Sequence, residues 1–471
     1  MRKIDKCLVQ IVPSQRQLEY QQLEFYSFIH FTINTFTGKE WGTGTENPSI
    51  FNPTKFDAGQ WVNAIKSAEM TGLILTCKHH DGFCLWPSKY TNHTIANSPY
   101  KNGKGDIVKE VSDACKEAGI KFGVYLSPWD RNNQAYGKGE LYDDFFVNQL
   151  TELLTNYGEI FSVWFDGACG EGSNGKKQVY DWERYYKVIR TLQPKACISV
   201  CGPDIRWCGN EAGHTRQSEW SVVPRRTSET ELIASNSQKE DNQEFRQRKI
   251  TASDQDLGSR EILKDEMELI WYPAEVNTSI RPGWFYHEEE DNKVRTLEEL
   301  INIYYNSVGG NATFLLNIPP TKEGLFHEND VKRLHEMGDY LRQAFRENLL
   351  DSAELYANTY MNGYGIENVR TDDYETYFKT EDGITDLIIE LSWEEKQVIR
   401  HIVMKENIAC SQRIEKYLIE VNQDGEYRMI YEGTVVGYKR IVPLDAVETD
   451  KIRIHILDAR VAPTLSFIGV Y

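Results

Sequence analysis

At 471 residues the chain is too long for one ordinary core, so two domains are expected. A hydrophobic content of 40% with 26% charged residues is that of a globular fold in water. The net charge of -18 argues against nucleic acid or an anionic membrane as partner, because both need a basic face.

No run of about 18 apolar residues exists, so no membrane insertion is expected. Met1-Arg-Lys leads into mixed polar sequence without an apolar core, so no signal peptide is visible and the compartment stays open. The nine cysteines include no CxxC pair, so reduced thiols are expected rather than a zinc knuckle or a disulfide framework. Aromatic residues reach 12%, with 11 Trp and 26 Tyr. Such rings supply flat apolar faces beside hydrogen-bonding groups, which sugar sites need, although many must be core.

In chain order, residues 24–31 read as a first buried strand with His30 near its end. Trp61, Ala64, Ile65 and Ala68 give residues 57–70 a helical spacing. Residues 72–78 form a second strand running into His79-His80-Asp81-Gly82. Ile107 to Ala118 is helical and Gly119 stops it. A third strand covers 121–126, and a helix from Asp143 to Tyr157 leads to the stretch Phe161-Ser-Val-Trp-Phe-Asp-Gly-Ala168. That fourth strand closes on Asp166, a carboxylate whose unpaired burial would cost several kcal/mol, so it is no core filler. A helix over 182–192, a fifth strand over 196–200 and a long irregular region over 201–262 follow. Glu268 to Tyr272 reads as a further strand, 297–308 as a helix, 312–317 as the last strand and 327–348 as the closing helix.

Strand and helix thus alternate about eight times, the pattern of a (β/α)8 barrel or a doubly wound sheet. No GxGxxG or Walker motif follows a strand. Polar, aromatic and acidic residues sit just after most strands, as the catalytic face of a TIM-like barrel requires. The α/β reading is therefore a barrel over residues 1–348. Residues 349–471 hold short β-rich runs and read as a C-terminal β-sandwich.

Strand ends gather His30, Glu40, Trp41, His79, His80, Tyr125, Asp166 and a set containing Asp204, Arg206, Trp207, Glu211 and Glu219. A lone strand histidine is more often a satisfied core residue. Two adjacent histidines before Asp-Gly are harder to dismiss. Neighbours on a strand face opposite sides, so His79 and His80 are not expected to share a metal ion, and no HxH or HExxH motif occurs. Hydrogen bonding to hydroxyls suits them better.

Phe28-Ile-His-Phe31, Asn34-Thr-Phe-Thr-Gly-Lys-Glu-Trp-Gly42, Cys77-Lys-His-His-Asp-Gly-Phe-Cys-Leu-Trp86 and Val163-Trp-Phe-Asp-Gly-Ala168 together resemble glycoside hydrolase family 29, the retaining α-L-fucosidases. The likeness covers roughly residues 20–350. Gly202-Pro-Asp-Ile-Arg-Trp-Cys-Gly-Asn-Glu-Ala-Gly213, Ser218-Glu-Trp-Ser221 and Ser279-Ile-Arg-Pro-Gly-Trp-Phe-Tyr-His287 resemble the subfamily acting on branched α-1,3 and α-1,4 fucose. The resemblance implies Asp166 as nucleophile and Glu211 as acid/base, with Glu275 as rival and Glu219 as a weaker one. A retaining pair should lie about 5–5.5 Å apart. It implies that His30, Glu40, Trp41, His79, His80 and Tyr125 hold ring hydroxyls and that Trp284 packs on the sugar. Asp204, Arg206 and Trp207 would contact the leaving half, and Lys78 and Asp81 would support the pocket. Fucosylated glycans are the implied partners. No metal and no organic cofactor are expected, since two carboxyls and water suffice. A metal-dependent barrel hydrolase and a catalytically silent sugar-binding protein are the alternatives.

Overall fold

The computed structural model describes residues 2–241 and 256–471. Eight strands run parallel in one sheet: β1 (Phe25–Ile29), β2 (Gly72–Lys78), β3 (Lys121–Leu126), β4 (Ser162–Phe165), β5 (Cys197–Val200), β6 (Arg206–Trp207), β7 (Ala274–Ser279) and β8 (Ala312–Asn317). Their order is β5-β4-β3-β2-β1-β8-β7-β6. A parallel bridge between Ser199 and Ile205 joins the two outer strands and all but closes the barrel. Nearly every residue of these strands is buried, because helices cover the outside while side chains fill the inside.

Among the described residues six helices of ten or more residues follow strands: α1 (Ala58–Ser67), α2 (Ile107–Ala118), α3 (Glu140–Asn156), α4 (Trp182–Leu192), α5 (Leu297–Ser307) and α6 (Glu328–Ala344). Their starts and stops follow from sequence. Asp106 caps α2 by accepting from Lys109 N at 2.9 Å, and Gly119 ends it with φ 74°. Between β5 and β6 the chain turns without a helix. The expected alternation therefore breaks at this point, and the barrel rim is left open to the irregular chain after β6.

Three strand assignments need correcting. Leu269–Trp271 pairs antiparallel with Val222–Pro224 in a small ribbon outside the barrel. The barrel strand at this point is β7, paired in register with β8 from Ala312 opposite Ala274 to Asn317 opposite Ser279. β7 escaped a hydrophobic reading because Glu275, Asn277 and Ser279 alternate along it, yet all six of its residues are buried. β6 escaped because it is two residues long and lies inside the region read as irregular. Part of that region lies outside the described residues.

Beyond α6, seven antiparallel strands are hydrogen-bonded into one continuous network. Leu387–Glu406 and Arg440–Ala459, each 20 residues long, run through it side by side with register shifts at Ser392/Gln397 and Ile399/His401. The runs read separately at 385–391 and 398–404 are thus one bulged strand, since bulges bend a strand without ending it. Strands across this network contribute Ile389, Leu391, Ile402, Ile419, Ile454 and Leu465 to a single core. This unit is tied to the barrel. Glu24 accepts from Tyr438 Oη at 2.8 Å and Lys439 Nζ at 2.7 Å. Burial pushes the Glu24 carboxyl up, but Lys439 and Lys405 outweigh it and hold it below the usual range. Among the described residues no helix is long and apolar enough to cross a membrane.

Candidate active site

The C-terminal ends of the barrel strands converge on a pocket of about 540 Å³. It is lined by His30 after β1, His79 and His80 after β2, Trp164 and Asp166 from and after β4, Trp207 and Glu211 from and after β6, and Asn277 on β7. Phe28, Trp41, Val200 and Trp284 complete its apolar wall.

Asp166 leaves β4 with its carboxylate fixed at both oxygens. Oδ1 accepts from Ala168 N at 2.7 Å and Oδ2 from Tyr125 Oη at 2.8 Å. His80 Nε2 stands 3.7 Å from Oδ2. Burial and the Asp166 charge push the Tyr125 hydroxyl well above its ordinary range, so it stays a donor. Gly167 has a local reason: a Cβ there would lie 2.1 Å from Ser237 Oγ. The segment ending in Ser237 and Gln238 can therefore close one wall of the pocket. Neither residue carried any sequence signal for a site.

The histidines are neutral. Burial pushes His30 and His80 down to about 4 and His79 well below its usual value. His30 Nδ1 donates to Asn317 Oδ1 at 2.8 Å, while Asn317 Nδ2 donates to Ser279 Oγ at 2.9 Å and Trp284 O at 2.8 Å. That network leaves Nε2 of His30 as an acceptor. Ser127 Oγ donates to Trp129 O at 2.7 Å, so its 2.7 Å contact with His80 Nδ1 makes the imidazole the donor there, and Nε2 is again an acceptor. His79 Nδ1 is buried without a hydrogen-bond partner among the described residues. Three neutral imidazoles with spare ring nitrogens suit an uncharged polyol.

The expectation that His79 and His80 point apart is corrected. Their ring centroids are 4.2 Å apart and both line the pocket. β2 ends at Lys78, so strand alternation no longer governs the next two residues. Together with Asp166 they offer ligand atoms all within 4.8 Å of one another.

Glu211 sits on a stiff loop. Asn210, fully buried, accepts from Ala212 N at 3.0 Å and His214 N at 3.1 Å and donates to His214 O at 2.9 Å. Gly209 and Gly213 flank the loop at φ 105° and 84°. Trp284 Nε1 donates to Glu211 Oε2 at 2.9 Å. Glu40 is placed behind that indole rather than in the pocket lining. Its carboxylate accepts from Trp284 N at 2.9 Å, Phe285 N at 3.3 Å and the His287 ring at 2.7 Å.

Glu219, Arg206 and Asp204 do not line the pocket. Glu219 is fully buried and pairs with Arg206 at 2.6 Å and Arg216 at 3.3 Å. Burial raises its pKa, but the two guanidiniums outweigh that and hold it below the usual range. Arg216 also donates to Cys208 O at 2.9 Å, so the cluster anchors the root of the Glu211 loop. Asp204 is buried, accepting from Arg16 Nε at 3.0 Å and Ile198 N at 2.8 Å and pairing with Arg190. The reading of Asp204 and Arg206 as contacts to the leaving half is thereby corrected: both are committed to buried ion pairs. Lys78 is fully buried on Asp130 and Gln149, each at 3.0 Å, and burial pushes Asp81 up to about 7.

Glu275 lies below the pocket. Its Oε2 accepts from Tyr20 and Tyr26 at 2.5 Å each and its Oε1 from Trp164 Nε1 at 2.7 Å. It is fully buried, which raises its pKa against the pull of those three donors. Glu275→Ala strands three buried donors, so a stability loss of about 3 kcal/mol or more is expected, measured by denaturant unfolding. Glu275→Gln, which keeps the shape, should lose less.

A pocket on the C-terminal face of a barrel, walled by indoles and imidazoles and holding two separate carboxyls, defines the class of glycoside hydrolases. The α-L-fucosidase family profile matches residues 12–344. Alpha-L-fucosidase 1 of Arabidopsis thaliana is 39% identical over 99% of this chain and 88% of its own length. A Ruminococcus gnavus family 29 fucosidase, solved in complex with fucose, superposes with a TM-score of 0.85 at 32% identity, covering 98% of this chain and 95% of that one. A family 29 member from a rumen bacterium gives 0.79 at 36%, covering 98% and 77%. The chain belongs to the α-L-fucosidases of glycoside hydrolase family 29.

Proposed function

We propose that this glycoside hydrolase releases terminal α-1,3- and α-1,4-linked L-fucose from branched glycans with retention of configuration. The observation that carries the reading is that Asp166 and Glu211 line one pocket, each held by a neighbouring hydrogen-bond donor. In the first step an Asp166 oxygen attacks the anomeric carbon while Glu211 gives its proton to the departing glycosidic oxygen. This leaves a glycosyl ester on Asp166. In the second step Glu211, now a carboxylate, takes a proton from water, whose oxygen attacks the same carbon and frees Asp166. His30, His79 and His80 bind the ring hydroxyls as neutral groups. Phe28, Trp164 and Trp284 supply the apolar surface that a 6-deoxy sugar's methyl group needs.

The linkage preference rests on the resemblance of residues 202–213, 218–221 and 279–287. Parallel assays on α-1,2-, α-1,3- and α-1,4-linked oligosaccharides should show weak action on the unbranched α-1,2 linkage. A preference for that linkage overturns the assignment.

A second reading, metal-dependent hydrolysis, is favoured by the cluster of His79, His80 and Asp166. Full activity after exhaustive chelation removes it.

A further inference from the structure

Next to the fucose pocket lies a second cavity of about 870 Å³ that shares Glu211 and Trp284 with it. Its other walls come from the end of β7 and the chain leading into α5, and they carry Arg281, Lys293, Arg295 and Glu299. Three cations stand there beside two carboxylates, Glu211 and Glu299, in a chain of net charge -18.

The cations are not equivalent. Arg281 is already matched, with Asp291 at 2.8 Å and Asp330 at 2.9 Å. Among the described residues Arg295 donates to neutral oxygens, from Nε to Ser279 O at 2.9 Å and from Nη2 to Thr278 Oγ1 at 3.0 Å. Burial pulls its pKa down, against a smaller upward pull from Glu299. Glu299 itself is engaged in capping α5, accepting from Thr296 N at 2.7 Å and Thr296 Oγ1 at 3.0 Å. Lys293 is exposed and has no ion-pair partner among the described residues. Among the described residues, Lys293 and Arg295 therefore line the cavity with no carboxylate within ion-pair distance, though Glu299 acts on Arg295 through space. One is fixed against a strand end and the other rides on a mobile stem.

We propose that this cavity is a subsite for an anionic substituent, a carboxylate or a sulfate ester, on the leaving half of the glycan. The proposal rests on Glu211 being the acid/base: a group that protonates the glycosidic oxygen has fucose on one side and the departing sugar on the other. An anion there would add to the counter-charge that Glu299 gives Arg295 and draw in Lys293 with charge-assisted bonds.

The test compares kcat/KM for three trisaccharides of one linkage: neutral, sulfated on the galactose, and extended by a sialic acid carboxylate. Wild-type enzyme should favour at least one acidic form by about five- to tenfold, with the advantage shrinking as salt rises. The favoured arm identifies the anion. Lys293→Gln and Arg295→Gln should each reduce the acidic-to-neutral ratio. Because the ratio is read within one variant, losses in folding or basal turnover cancel. Equal or lower rates on both acidic substrates, or a ratio untouched by both substitutions, overturn the subsite. Failure to release fucose from the neutral trisaccharide and from an aryl fucoside alike would instead overturn the fucosidase reading beneath it.

Discussion

Asp166→Asn is expected to lower turnover of an aryl α-L-fucoside by on the order of 10^3-fold or more while the unfolding midpoint stays near that of the wild type. The side chain is the same size, and its environment accepts the exchange. The amide oxygen can still receive Ala168 N, and the amide nitrogen can donate to Tyr125 Oη, which accepts as readily as it donates. What disappears is the nucleophile. Added azide supplies one, and the stereochemistry is diagnostic. With no ester formed, azide displaces the leaving group in a single inverting step, so an α-fucoside yields the β-fucosyl azide. Near-wild-type turnover, or an α-azide from this variant, would remove Asp166 from the role. Its position makes the expectation sharp, since it closes a barrel strand, faces the pocket and is fixed at both oxygens.

Much of this arrangement was legible in the sequence where the physics is local. Strands β1 to β5 and β8 are mainly apolar stretches because both faces are buried, and the end of α2 announces itself through Gly119. The site residues that follow those strands directly, His30, His79, His80 and Asp166, were legible for the same reason. What escaped depends on contacts between distant residues. β7 carries Glu275 and Asn277 into the barrel interior, where Tyr20, Tyr26 and Trp164 satisfy the acid and Trp207 the amide, so its polar alternation hides a fully buried strand. Asp204 and Arg206 sit in a motif beside Trp207 and Glu211, but their ion pairs with Arg16, Arg190 and Glu219 keep them out of the pocket lining. Adjacency in a motif does not separate a residue that touches substrate from one that braces its neighbour. Ser237 and Gln238 reach the pocket because Gly167 leaves room for Ser237, a contact across some 70 residues that no periodicity encodes.

Glu211→Ala should divide substrates by their leaving groups. An aryl fucoside with an acidic phenol needs little protonation, so its ester forms nearly as fast as in the wild type and then accumulates, because water has lost its base. A glycan substrate, whose departing alkoxide must be protonated, should slow by about 10^2- to 10^4-fold. Azide needs no base, so it should restore aryl fucoside turnover. Attacking the ester on Asp166, it should give the α-fucosyl azide, the opposite anomer to that from Asp166→Asn. The two variants thus report the two halves of one double displacement through opposite products. Should Glu275→Ala show this pattern instead, the acid/base moves to Glu275. The geometry speaks against that: both of its oxygens are occupied by buried donors, whereas Glu211 lines both cavities beside Trp284. Trp284→Phe probes the same assignment from the partner's side. It removes the indole donor that fixes Glu211 Oε2, so release of fucose from a glycan should fall more than release from an activated aryl fucoside.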